Sequence, residues 1–112
     1  MKLVSIYIVN HNYAKYLEQS INSVLNQDFK NYHLMIIDNG STDNSQEILQ
    51  KFQNQEEIDV IFRKNKGLTV ANNIALKMSQ GRYIMRLDAD DYLEPNALRL
   101  MFQKLEDNPE LA

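Results

Sequence analysis

Apolar positions fall into two kinds of run that alternate along the chain. Leu3 to Asn10 is rich in β-branched and aromatic residues, with Val4, Ile6, Ile8 and Val9 filling both faces. A strand apolar on both sides belongs inside a parallel sheet covered by other elements. Tyr32 to Asp38, with Leu34, Met35, Ile36 and Ile37 at its heart, predicts a second such strand. Ile58 to Arg63 and Tyr83 to Leu87 predict a third and a fourth. Between them apolar residues recur at helical spacing. Leu17, Ile21, Val24 and Leu25 mark a first helix over Ala14 to Asn26, with Tyr13 and Tyr16 packing on it. Ile48, Leu49 and Phe52 mark a second, and Val70, Ala71, Ile74, Ala75 and Met78 a third. Leu98, Met101, Phe102 and Leu105 give the inner face of a fourth.

The polar punctuation agrees. Asn12 is placed to cap the first helix. Asn39-Gly40 could turn a hairpin, but Ser41-Thr42-Asp43 argues for a helix start, with Asp43 and Gln46 spaced as a capping box. The third helix is expected to end near Gly81. Pro95 sits where a first-turn proline costs no hydrogen bond. Strand–helix repeated four times predicts an α/β fold, a Rossmann-like parallel sheet flanked by helices with right-handed crossovers. Ligands of such sheets sit at the carboxyl ends of the strands, where strand order reverses. With order 3-2-1-4, Asn10-His11-Asn12, Asp38-Asn39 and Asp88-Ala89-Asp90 share one rim.

Length and composition narrow this picture. The 112 residues suit one domain, with 44% hydrophobic and 24% charged residues. A net charge of −3 gives no basic footprint for nucleic acid. There is no cysteine, hence no disulfide or thiolate zinc site. No apolar run approaches the length of a membrane span, and the first strand starts too early for a signal peptide. The default expectation is a cytoplasmic domain, with contact to the inner face of the membrane left open.

Asp88, Asp90 and Asp91 place three carboxylates within four residues. Such acids repel one another unless something positive sits among them. A magnesium or manganese ion prefers oxygen ligands, and often takes one or two carboxylates with substrate phosphates completing its shell. A solvated acidic turn, with Asp91 starting the next helix, explains the same stretch, and on the stretch alone the two readings are level. The company of Asn10 and Asp38 on one rim favours a binding site. No glycine-rich dinucleotide fingerprint or Walker-type loop is present. A signalling receiver domain needs acids after the first and third strands, and here those strands end in Asn10 and Arg63. Lys64 and Lys66 could steer a diphosphate, although solvated lysines are commoner. His11 lacks the partners of a zinc site.

Val4-Ser5-Ile6-Tyr7-Ile8-Val9-Asn10-His11-Asn12, Ser23-Val24-Leu25-Asn26-Gln27, Ile37-Asp38-Asn39-Gly40-Ser41-Thr42-Asp43, Asn65-Lys66-Gly67-Leu68 and Leu87-Asp88-Ala89-Asp90-Asp91, in this order, resemble the GT-A family 2 glycosyltransferases. The resemblance spans nearly the whole chain and implies the nucleotide-diphospho-sugar-binding half of such an enzyme, over 1–112. It implies polysaccharide biosynthesis, by sugar transfer from a nucleotide-diphosphate donor to a glycan or lipid-linked acceptor, by inversion. It implies nucleotide contacts from Val9, Asn10, Asn12, Asp38, Asn39, Lys66, Gly67 and Asp88, and a magnesium or manganese ion on Asp88 and Asp90. A binding module that holds a nucleotide sugar without turnover is the alternative.

The chain departs from the family pattern in four places. Proline is usual where Val9 stands, which predicts a less rigid turn. A second aspartate is usual where Asn39 stands, and an arginine is frequent where Asn72 stands. The sequence also ends where family members enter another strand, so the acceptor half, with its general-base carboxylate, is expected elsewhere and the fragment alone should be inactive. Asn39 can accept the N–H of uracil or thymine and donate to a flanking carbonyl, which predicts a uracil or thymine nucleotide held by neutral bonds. With the fourth strand at the sheet edge, self-association is expected.

Overall fold

The computed structural model describes residues 4–64, 67–79, 81–108 and 110. In chain order it runs β1 (Val4–Asn10), α1 (Ala14–Leu25), β2 (Tyr32–Asn39), α2 (Ser45–Gln50), β3 (Ile58–Arg63), α3 (Leu68–Met78), β4 (Tyr83–Asp88) and α4 (Ala97–Asp107). The four strands form one sheet in the order β3-β2-β1-β4, and every pairing is parallel. This is the predicted order, and the period-2 arrangement of side chains explains it. β1 and β2 are apolar on both faces and take the two inner places.

The two faces are unequal. Ile6, Ile8, Leu34, Ile36, Ile58 and Leu87 point to one side, against Leu17, Ile21 and Val24 of α1, Leu49 of α2 and Leu98 of α4. Tyr7, Met35 and Ile37 point to the other, against Ala71 and Ala75 of α3. The small residues let α3 lie close to the sheet, where the Tyr7 hydroxyl donates to Asn72 Oδ1 at 3.1 Å. Each aliphatic side chain fully buried in these layers contributes about 2 kcal/mol, so the three-helix face carries most of the core.

The helical patterns were right in existence and wrong in part of their facing. Val70 and Met78 of α3 are exposed, as is Met101 of α4; one layer of sheet leaves no second surface to cover them. Tyr13 and Tyr16 are 44% and 40% exposed rather than packed, and Lys15 Nζ lies 5.5 Å from the Tyr16 ring centroid. Phe52 reaches the core from the turn after α2. Among the described residues no helix is long and apolar enough to cross a membrane.

Candidate functional site

Strand register brings the polar strand ends to one rim. Asn10 pairs with Asp38, Asn39 with Arg63, and Val9 with Asp88. Asn10, Asp38 and Asn39, together with the acidic turn after β4, therefore lie along the carboxyl ends of adjacent strands, as the sequence predicted.

The part between β1 and β2 is a closed hydrogen-bond network around Asp38, which is fully buried. Asp38 Oδ1 accepts from Asn10 Nδ2 at 2.9 Å and from the Ser41 hydroxyl at 2.6 Å. Its Oδ2 accepts from the Ser41 amide at 3.2 Å and from Gln46 Nε2 at 3.4 Å. The Ser41 hydroxyl also accepts from Asn10 Nδ2 and from the Asn12 amide. Gly40 enters this turn with φ of 75°, a conformation open to glycine.

The two turns cap each other, and Asp43 serves its own helix as well. Asn12, at φ 61°, accepts with Oδ1 from the amides of Thr42 and Asp43 at 2.7 and 3.2 Å. Asp43 Oδ2 accepts from the Ala14 amide at the start of α1, and Oδ1 from the Ser45 amide at the start of α2. The expected cap of α1 by Asn12 and the Asp43–Gln46 capping box are thus both replaced by exchange across the loops. Burial alone would raise the Asp43 carboxyl, but the hydroxyl and amide of Ser45 and the amide of Ala14 together hold it below its ordinary value. His11 Nδ1 lies 2.8 Å from the Asn39 carbonyl, which can only accept, so that nitrogen carries the proton. Val9, where the family usually has proline, lies within β1 and pairs with Ile37 and Asp88 on its two sides.

The β4 end is built differently. Asp88, Asp90 and Asp91 are exposed, and among the described residues no three acidic or histidine side chains converge as a metal cluster. The expected crowding of three carboxylates does not occur. Asp88 Oδ1 lies 3.5 Å from Arg86 Nε, and Asp91 Oδ1 turns back to the Tyr92 amide at 2.8 Å. Only the backbone is pinned, with the Asp88 carbonyl accepting from the Asp91 amide and the Ser20 hydroxyl. Two carboxylates, Asp88 and Asp90, remain available to a hard cation. They fit such an ion only if phosphate oxygens and water complete its shell.

Gly67, at φ 87°, opens α3, and Lys64 is exposed. Lys66 lies outside the described residues. Sequence reasoning read Ser41 only as part of a helix start, whereas it ties both turns together, and gave Arg63 no role as a rim residue. Arg63 Nη1 and Asn10 Oδ1 are buried without a hydrogen-bond partner among the described residues. A serine three residues after a strand-end aspartate was the available signal for the first; nothing local marks the second.

Comparison with known proteins accords with this geometry. The family described as Glycosyl transferase family 2 matches residues 5–112. A chondroitin synthase of Escherichia coli is 40% identical over 111 residues, covering 98% of this chain and 16% of its own length. The putative teichuronic acid biosynthesis glycosyltransferase TuaG of Bacillus subtilis is 40% identical over 91 residues, covering 80% of this chain and 36% of its own. The crystal structure of S. aureus TarS 1-349 in complex with UDP-GlcNAc superposes with a TM-score of 0.85 at 28% identity, over 96% of this chain and 32% of that one. The chain spans well under half the length of each of these proteins, and its sheet and helices are those of a GT-A glycosyltransferase. By sequence over nearly its whole length, it belongs to glycosyl transferase family 2.

Proposed function

We propose that this chain forms the donor side of a glycosyltransferase, one domain that holds a nucleotide-diphosphate sugar while the sugar moves to an acceptor hydroxyl. The observation that carries the reading is the register itself, which sets Asn10 beside Asp38 and Val9 beside Asp88 on one rim. An asparagine amide pairs an acceptor with a donor, the match for a uracil or thymine edge, and Asn39, buried at the end of β2, is the residue proposed for that role. Asp38, fully enclosed, acts through Asn10 and Ser41 by fixing the floor on which base and ribose rest. The unpartnered Asn10 Oδ1 and Arg63 Nη1 favour a polar ligand there, since a buried orphan group is costly. Asn12 and Gly67 border the same rim, and a diphosphate contact from Lys66 completes the proposed set.

Asp88 and Asp90 would hold a magnesium or manganese ion, and Asp88 also the ribose. That ion would supply charge stabilisation to the departing diphosphate. In transfer, the acceptor oxygen bonds to the anomeric carbon as the bond to the diphosphate breaks. A single such displacement inverts the anomeric centre. No carboxylate here is assigned as the base that takes the acceptor proton, so the chain alone should bind donor without transferring sugar.

Calorimetry against uridine, thymidine, guanosine and cytidine diphosphates, with manganese or with chelator, tests the proposal. Uridine or thymidine diphosphate should bind best, and only with the cation. Asp90→Ala should abolish the cation dependence. Equal affinity in chelator would overturn the metal assignment, and a guanine preference would overturn the reading of Asn39.

A further inference from the structure

We propose that a depression outside the rim, between α1 and the segment that follows the acidic turn, binds a neutral, hydroxyl-rich stretch of glycan. It encloses about 370 Å³, and its lining includes Gln19, Asn22, Asn26, Tyr92, Leu93 and Pro95. None of these belongs to the donor set.

Three features point to sugar. The first is the kind of polar group. Gln19, Asn22 and Asn26 are exposed, and their side-chain amides have no partner among the described residues. Each carries a donor and an acceptor in one plane, the match for hydroxyls that both donate and accept. The second is Tyr92, which is 55% exposed. An aromatic face beside a few placed polar groups suits the C–H face of a sugar ring.

The third is preorganisation. The depression's two walls are bolted together from beneath by Gln27, which is 1% exposed. Gln27 Nε2 donates to the carbonyls of Ser23 and Glu94 at 3.0 and 2.6 Å, while Oε1 accepts from the Leu98 amide at 3.0 Å. The Leu93 amide donates to the Ser23 hydroxyl, and the Asp28 amide to the Pro95 carbonyl. The free amides therefore stand on a fixed frame, so little ordering cost remains for binding.

Charge selects among glycans. Among the described residues no charged side chain lines the depression, and its chain neighbours Glu18, Asp91 and Glu94 are acidic. A polyanion meets repulsion there, which favours a neutral segment.

The test is an NMR titration of the full chain without nucleotide. The probes are maltotetraose, cellotetraose and chitotetraose, with a hyaluronan tetrasaccharide as the anionic comparison. At least one neutral probe should shift the side-chain amide signals of Gln19, Asn22 and Asn26 saturably, and more strongly than hyaluronan. Tyr92→Ala should weaken that binding about tenfold while leaving uridine diphosphate binding unchanged. Asp90→Ala should retain glycan binding, which separates failure here from failure of the donor reading. Absence of saturable shifts with every neutral probe, an affinity unmoved by Tyr92→Ala, or preference for hyaluronan would each overturn the proposal.

Discussion

The two halves of the rim solve opposite problems. Between β1 and β2, carboxylate, amides and hydroxyl satisfy one another, and Asp38 is wholly enclosed. At the end of β4 the carboxylates are exposed, and among the described residues the Asp88 carboxylate has only Arg86, at 3.5 Å. One half spends its polar groups on holding shape, and the other leaves them for a partner. Acidic residues at neighbouring strand ends thus differ in kind. A buried carboxylate with four donors is architecture first, while an exposed pair on a pinned backbone is available chemistry.

The largest effect expected from this contrast is on stability. Asp38→Ala leaves donors of Asn10 and Ser41 buried without an acceptor, and should cost about 3 kcal/mol or more in urea unfolding. Asp90→Ala, at an exposed position, should change stability by about 0.5 kcal/mol or less. Comparable losses at the two positions would erase the distinction.

A second measurement extends the contrast along β4. That strand is a sheet edge, and Ile84 is 37% exposed on it, with Met101 exposed on α4 nearby. Sedimentation at rising concentration should show self-association. Ile84→Lys should weaken it by about tenfold, since a charge on an edge opposes pairing. A clean monomer at high concentration would remove the premise.

The smallest effect concerns acid. The Asp43 carboxyl is held below its ordinary value of 3.8. Its contribution is therefore complete above that value and fades as pH falls through the lower folded value. In Asp43→Asn the stability curve should be flatter below pH 3.8 than in the unmodified chain. An identical acid limb in both would show that the exchange of caps carries no proton linkage.

Strand identity was legible because β-branched runs apolar on both faces have few other uses, and Ile6, Ile8, Leu34 and Ile36 all fulfil it. The rim was legible because polar residues at the ends of such runs have one geometric destination in a parallel sheet. The cap assignments failed for a definite reason. The local rules look a few residues ahead, whereas Asn12 finds Thr42 and Asp43 finds Ala14 across a sheet. Asp38 looked the same on paper as Asp88, and only burial separates them. Gln27 lies just past the predicted end of the first helix, yet its amide fastens α1 to the start of α4.

The place of β1 bears on how the chain assembles during synthesis. Its first neighbour, β2, follows after one helix, so β1, α1 and β2 can close early as a single crossover unit. Its other edge matches Val4 to Tyr83, and stays bare until most of the chain has left the ribosome. Parallel pairing over that separation is intrinsically slow, and a bare apolar edge invites wrong partners meanwhile. The acidic turn arrives with β4, so the exposed acidic half of the rim comes into being last. A ligand bridging both halves then favours only the finished fold, and its affinity adds to the stability of the whole domain.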